Sequence, residues 1–298
     1  MAGGIISGLE GRLGWPGWRW LLLIEGVVTV GFGFILYFVL VDYPLTTKRF
    51  FTEEEKQLAY VRILADRQTS VKRNELRLTP LQSVVAVVAD PRSYAFLVLY
   101  ILDSTSTSIS YFVPATLKAM GYTSVTAQWM TVPIWISGAT IMLILSWNSD
   151  RTGDRRWHTT GCMIMCLVCS IVCLTVKEPN PRYVMLCFYI GGLYTAVAQI
   201  LNWTSEEMSF PDQKRSVALA FVNSFGNLSI IWGSRLWITA EAPGYKTGFM
   251  TVAIMTGIAA ILAATMPIMF SYLPSEPRTK AERALLRAAE ETEPELAS

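Results

Sequence analysis

SDRTGDRR, Ser149 to Arg156, is a short charged stretch between two long apolar runs, at about 127–148 and 158–177. Each run is long enough to cross the hydrocarbon core of a bilayer, so the stretch is expected to be a loop at a membrane face. Arg151, Arg155 and Arg156 stand there beside only Asp150 and Asp154. Such arginine density in a short loop marks the cytoplasmic side. Gly153 permits a tight reversal. Asp150, at the end of one span, is expected to accept hydrogen bonds from backbone N–H groups at the start of another helix, and Arg155 and Arg156 to pair with carboxylates or lipid phosphates.

Composition agrees with a membrane protein. Hydrophobic residues make up 52% of the chain and charged residues 16%, with a mean hydropathy of +0.37, whereas soluble domains carry about 25% charged residues. The net charge of +2 is scattered over loops; nucleic-acid binding would need a basic face. No basic region precedes an apolar stretch at the N-terminus, so a secretory signal is not indicated. Cys162, Cys166, Cys169 and Cys173 recur at i, i+4, i+7 and i+11. Ligands along one straight helix cannot converge tetrahedrally, so these are expected to pack, with no metal, cofactor or disulfide implied.

Reading outward from the loop divides the chain. Residues 1–17 are expected to be the end of a preceding helix and an outer loop, and 18–41 the first transmembrane helix, with Trp18, Arg19 and Trp20 at its interface. Residues 42–92 form a cytoplasmic linker in which Thr52 and Glu53 to Glu55 begin a surface helix of about four turns. Residues 93–272 hold six spans, at about 93–114, 127–148, 158–177, 183–203, 216–238 and 247–272, and 273–298 form a cytoplasmic tail. This scheme puts 18 of the 25 Lys and Arg residues on the cytoplasmic side. About seven spans follow, with the N-terminus out and the C-terminus in. The last six divide into two triplets of opposite orientation, which is a transporter architecture.

Several stretches carry a family resemblance: GWRWLLLIEG at 17–26, FTEEEKQLA at 51–59, YFVPATLKAMGYTSVTAQWMTVP at 111–133 and KRSVALAFVNSFGN at 214–227. NWTSEE at 202–207, EAPGYKTG at 241–248 and the DR-x-G-x-R-R pattern of the opening loop add to them. The chain resembles the fungal anion:cation symporter branch of the major facilitator superfamily, which contains allantoate, nicotinate, pantothenate and biotin permeases. The resemblance implies an all-α integral membrane protein matching helices six to twelve of a twelve-helix transporter. It also implies a gating role for Asp150, Arg151, Gly153, Arg155 and Arg156. On this reading a preceding N-terminal bundle is missing, and the chain alone is expected to be inactive.

A transporter site belongs near mid-membrane and is built from polar groups that hydrocarbon does not tolerate. The second span holds the densest such run, Asp103 to Ser108 with Ser110. At helical spacing Asp103, Thr107, Ser110 and Pro114 share one face, with Tyr111 on the next. Asp103 reads as a proton carrier, a filter against wrong substrates, or a hydrogen-bond partner for a neighbouring helix. The fifth span offers Tyr194, Gln199 and Asn202, and the sixth Asn223 and Asn227. Amides and phenols orient a small carboxylate, and they also glue membrane helices together. Glu25, inside the first span, is a second candidate for proton coupling or a structural pairing. Gly226 and Gly233 read as close-packing positions.

The expected activity is transport of a small organic anion by proton symport across the plasma membrane, with anion, protons and lipid as partners. No nucleotide loop, metal constellation or nucleophile motif points to an enzyme. Seven spans with the N-terminus outside is also receptor topology, although no DRY-like or NPxxY-like ending marks the third or seventh. A non-transporting subunit that docks on another half-transporter is a third reading.

Overall fold

The computed structural model describes residues 2–41, 43, 46–47, 51–66, 78–273 and 277–292, and every regular element among them is helical. Among the described residues, seven helices are long and apolar enough to cross a membrane. Of the expected linker and tail, residues 42, 44–45, 48–50, 67–77, 274–276 and 293–298 lie outside the described residues. The chain divides into two compact units, Met1–Leu76 with Ala288–Ser298, and Arg77–Arg287.

In the first unit α1 (Ala2–Leu9) packs against α2 (Gly17–Val39). Glu10 accepts a hydrogen bond from the Gly17 N–H at 2.7 Å, satisfying one of the donors that a helix start leaves orphaned. α2 extends about 35 Å at 1.5 Å per residue, and its Phe32, Phe34 and Tyr37 side chains are exposed, as a lipid-facing helix requires. Glu25 lies exposed on α2. α3 (Glu53–Asp66) begins with the capping box foreseen at Thr52: Glu55 donates its N–H to Thr52 Oγ1, and its carboxylate accepts the Thr52 N–H.

The second unit contains six spans. The first runs through α5 (Pro91–Thr107), a 3-10 segment at Ser108–Phe112 and α6 (Val113–Ala119). Then come α7 (Ser124–Thr152), α8 (Arg155–Thr175), α9 (Pro179–Glu207), α10 (Asp212–Asn227) with the short α11 (Ile230–Gly233), and α12 (Lys246–Tyr272). α7 packs on α9 and α10 on α5; α8 packs on α9 and α12 on α5. Exchanging the first triplet for the second maps each of these pairs onto its counterpart, the pattern that inverted repeats produce.

Packing follows from small and aromatic residues. The cysteine stripe of α8 is buried and its thiols are free. It lets α9 approach so closely that a Cβ at Gly192 would lie 2.6 Å from Cys166 Sγ. Phe96 of α5 has no exposed surface and meets Trp203 of α9 edge-on at 5.6 Å and Phe270 of α12 at the same distance. These rings close the bundle near its charged end.

Two elements differ from expectation. An additional helix, α4 (Pro80–Ala89), precedes the first span of this unit and packs on α10. Its signal was present in Thr79-Pro80-Leu81-Gln82, a capping box with proline at the first helical position. The opening stretch is also shorter as a loop than its charges suggest. α7 continues through Thr152 and α8 starts at Arg155, leaving Gly153, at φ 66°, and Asp154 as the turn. The tail forms α13 (Lys280–Thr292), started by a third capping box between Thr279 and Glu282.

Candidate functional site

The two helices carrying most of the polar residues are both discontinuous. α5 tightens into the 3-10 segment at Ser108, and α10 stops at Asn227. The broken ends are stitched together: Trp237 Nε1 donates to Ser108 Oγ at 3.0 Å, Ser108 Oγ donates to the Gly233 carbonyl at 3.1 Å, and Trp232 Nε1 donates to Thr105 Oγ1 at 3.2 Å. Ser106 and Thr107 return their hydroxyls to the carbonyls of Leu102 and Asp103. Much of the polar run thus serves the backbone and the contact of α5 with α11 and Trp237.

Asp103 is different. It has no exposed surface, and neither carboxylate oxygen has a hydrogen bond among the described residues. It lies within electrostatic range of Tyr100 on its own helix, Cys162 and Cys166 on α8, and Tyr189 on α9. The 3-10 segment advances about 120° per residue in place of 100°, which holds Ser110 over Thr107 and carries Tyr111 and Pro114 round from the face of Asp103. Asp103 points into the bundle, Thr107 and Ser110 are half-buried, and Tyr111 is 69% exposed. Ser110 Oγ is enclosed with no partner among the described residues.

At about 18 Å along α5 from Pro91, Asp103 sits at mid-depth; Asn223 is about 17 Å along α10 and Tyr194 about 20 Å from the end of α9. Tyr194 packs on Trp135 of α7 at 5.5 Å. Asn223 and Asn227 are exposed and joined, Asn227 Nδ2 donating to Asn223 Oδ1 at 2.9 Å. Tyr100 OH donates to the same Oδ1 at 2.8 Å. Tyr100 was not singled out from sequence, since a tyrosine in an apolar run gives no signal until its partner on α10 is known.

Gln199 and Asn202 lie nearer the charged end. Gln199 is buried, and its Oε1 accepts from Ser149 Oγ at 2.8 Å and from Arg155 Nη1 at 3.4 Å, while Asn202 is exposed. Gln199 thus joins the SDRTGDRR junction. There Arg155 pairs with Asp150 on α7 and with Glu206 on α9 at 2.9 Å, pinning three helices. The expected capping role of Asp150 falls instead to Asp154, which accepts the Trp157 N–H at 3.1 Å. The physical reason is register: Asp150 is still inside α7, and Asp154 is the residue just before α8. Arg151 lies over the Trp147 ring and Arg156 over Trp157.

A second charge network ties the tail to the bundle. Lys214, at the start of α10, reaches Asp90 Oδ2 and Glu282 Oε1, each at 2.8 Å, and all three side chains are buried. Arg92 adds a pair to Glu207 at 3.2 Å and donates to the Leu273 carbonyl at 2.8 Å.

At the opposite end Arg182 donates to the carbonyls of Pro243 and Gly244 and holds the loop before α12. Glu241 in that loop accepts the Thr247 N–H at 2.7 Å and the Thr247 hydroxyl, and these bonds hold its carboxyl below the usual carboxylate range. A depressed carboxylate contributes stability that is present above its unfolded pKa and is lost as pH falls through its folded pKa. Faster hydrogen exchange at the Thr247 amide is therefore expected only below the ordinary range for glutamate. Equal exchange across that acid range would show the cap to be without effect.

Comparison with known proteins agrees with this architecture. Residues 1–234 match the Major Facilitator Superfamily. Over 281 residues the chain is 30% identical to the MFS-type transporter cnsO of Penicillium expansum, covering 89% of this chain and 53% of that protein. It is 25% identical over 262 residues to a putative tartrate transporter of Agrobacterium vitis, covering 87% and 56%, and 24% identical over 273 residues to the pantothenate transporter liz1 of Schizosaccharomyces pombe, covering 88% and 51%. The chain spans about half the length of the curated relatives it matches. With seven potential spans among the described residues, paired triplets and a match over most of its length, the chain is an integral membrane protein and belongs to the Major Facilitator Superfamily.

Proposed function

We propose that this chain forms one lobe of a carrier for a small organic anion, a carboxylate of the tartrate or pantothenate kind, moved together with a proton. The observation that carries the reading is Asp103: an enclosed carboxylate without a hydrogen bond, just over one turn before the break in α5. Such a group is tolerated at membrane depth when a proton neutralises it, and it ionises when a conformational change lets water in. The polar face at its level supplies substrate contacts, with Asn223, Asn227, Tyr194 and Thr107 nearest in depth and Ser110 and Tyr111 beyond the break. Asn202 contributes nearer the charged end, and Gln199 acts through Arg155. The names of the tartrate and pantothenate relatives support an anionic substrate.

The Asp150–Arg155–Glu206 junction acts as the latch of this lobe, with Gly153 as its turn and Arg151 and Arg156 flanking it. The charged end faces the cytoplasm, a reading that the arginine density of its short loop supports, and the carrier belongs to the plasma membrane. Glu25 on α2 meets a complementary lobe, where pairing or protonation satisfies it. Cells producing the chain, alone or joined to the first lobe of a relative, test the reading with labelled tartrate, pantothenate, nicotinate and allantoate. Saturable uptake by the joined form, stimulated by external acid and abolished by a protonophore, is expected. Uptake of none of the four overturns the anion assignment, and uptake insensitive to the protonophore overturns proton coupling.

A further inference from the structure

The geometry points to Tyr100 as the positioning residue that sets the specificity of this face. With Asn227 it locks the Asn223 amide so that the NH2 group turns outward, committing the face to ligands that accept hydrogen bonds, carboxylates above all. The inference rests on the carrier reading and names the device by which its site recognises the anion.

The lock has three parts. Tyr100 OH donates to Asn223 Oδ1 at 2.8 Å, and Asn227 Nδ2 donates to the same oxygen at 2.9 Å and to the Asn223 main-chain carbonyl at 2.7 Å. Both acceptor sites of Oδ1 are therefore filled. Rotating the amide by 180° would set the Asn223 NH2 against the Asn227 NH2, donor facing donor, and would leave the phenol without its acceptor. The orientation is thus decided by chemistry, and Asn223 Nδ2 has no hydrogen bond among the described residues while its side chain is exposed.

The phenol is itself fixed. Tyr100 is 3% exposed, and its ring lies flush on α10 because residue 226 is glycine: a Cβ there would come within 2.1 Å of Tyr100 Cδ1. Gly226 admits the ring, the ring carries the hydroxyl, and the hydroxyl orients the amide. A carboxylate arriving at this depth meets unused N–H donors already pointed at it, with little reorganisation to be made. An amine or a primary amide presented nitrogen-first meets donors facing donors and is rejected, as happens when buried polar groups are left unpaired.

The test uses the full 298-residue chain reconstituted in liposomes and measures equilibrium binding of tartrate, pantothenate, nicotinate and allantoate. For each carboxylate that binds, the uncharged counterpart with an amide or alcohol in place of the carboxylate is measured beside it. Asn223→Asp keeps the shape and the Oδ1 acceptor but replaces the outward NH2 with an anionic oxygen. Carboxylate affinity should fall about tenfold to a hundredfold, the worth of a hydrogen bond to a charged group, with the uncharged counterpart far less affected. Tyr100→Phe keeps the ring on Gly226 and removes only the hydroxyl, so the ratio of carboxylate to uncharged affinity should fall about threefold to tenfold.

A tyrosine that merely packed would lower the melting temperature or weaken both ligands equally, leaving the ratio unchanged. Should Tyr100→Phe fail to fold, Asn227→Ala, on the exposed side of the lock, gives the same ratio measurement. Unchanged ratios in a chain whose wild type binds carboxylates overturn the lock and leave the carrier reading standing. Where the chain by itself binds none of the four, the same variants are measured in the form joined to the first lobe of a relative, and a joined form that binds none of them overturns both.

Discussion

Asp103→Asn is expected to abolish proton-driven accumulation while sparing the fold. Asparagine matches the carboxylic acid in size and cannot release a proton. For one proton moved with each monovalent anion, a gradient of one pH unit supports about tenfold accumulation; in the variant the internal and external concentrations should equalise. Exchange of labelled for unlabelled substrate needs no net proton movement and should persist. Burial supplies a second, sharper readout. Because neither oxygen of Asp103 has a hydrogen bond, Asp103→Leu breaks no contact and removes a polar group from an apolar site, so its melting temperature should equal or exceed the wild-type value. A structural aspartate behaves in the opposite way, losing stability first. Accumulation that survives in Asp103→Asn would sink the coupling role.

Lys214→Met is expected to be the most destabilising change at the charged end. It leaves the Asp90 and Glu282 carboxylates buried and facing each other without their shared cation. Breaking a buried pair from one side costs about 3–5 kcal/mol, which for a unit of this size corresponds to a melting temperature lower by about 6–20 °C. Asp90 also caps α5 through the Arg92 N–H at 3.0 Å, and Glu282 closes the capping box of α13. The same substitution should therefore loosen the start of α5 and release the tail helix, seen as faster proteolysis between residues 277 and 287. Adding Asp90→Asn and Glu282→Gln to Lys214→Met should recover much of the loss, since no charge is then left unpaired. A single variant that melts within 1 °C of wild type would show the ammonium to be solvated, contrary to its burial.

Much of the architecture was legible because it follows from quantities that run along the chain. The length of an apolar run measured against bilayer thickness sets the number of spans, and the cost of carrying arginine into hydrocarbon keeps the charges at span ends. From these alone came seven spans, two triplets of opposite orientation and a charged hairpin between α7 and α8. The capping boxes at Thr52 and Thr79 were equally local, one read and the other passed over.

Side-chain roles were decided elsewhere, by the rotation of each helix about its axis and by which residues neighbours place at the same depth. The polar run of α5 left the direction of each side chain open; packing turned Asp103 inward, and the 3-10 segment at Ser108 carried Tyr111 outward. Gln199 was spent on Ser149 and Arg155, and a tyrosine of no distinction in sequence found Asn223 on a helix more than a hundred residues away. The membrane imposes its constraint on the chain in one dimension, so sequence alone determined spans and ends. Hydrogen bonds form in three, and only tertiary structure decided which polar groups are satisfied and which, like Asp103, have no partner among the described residues.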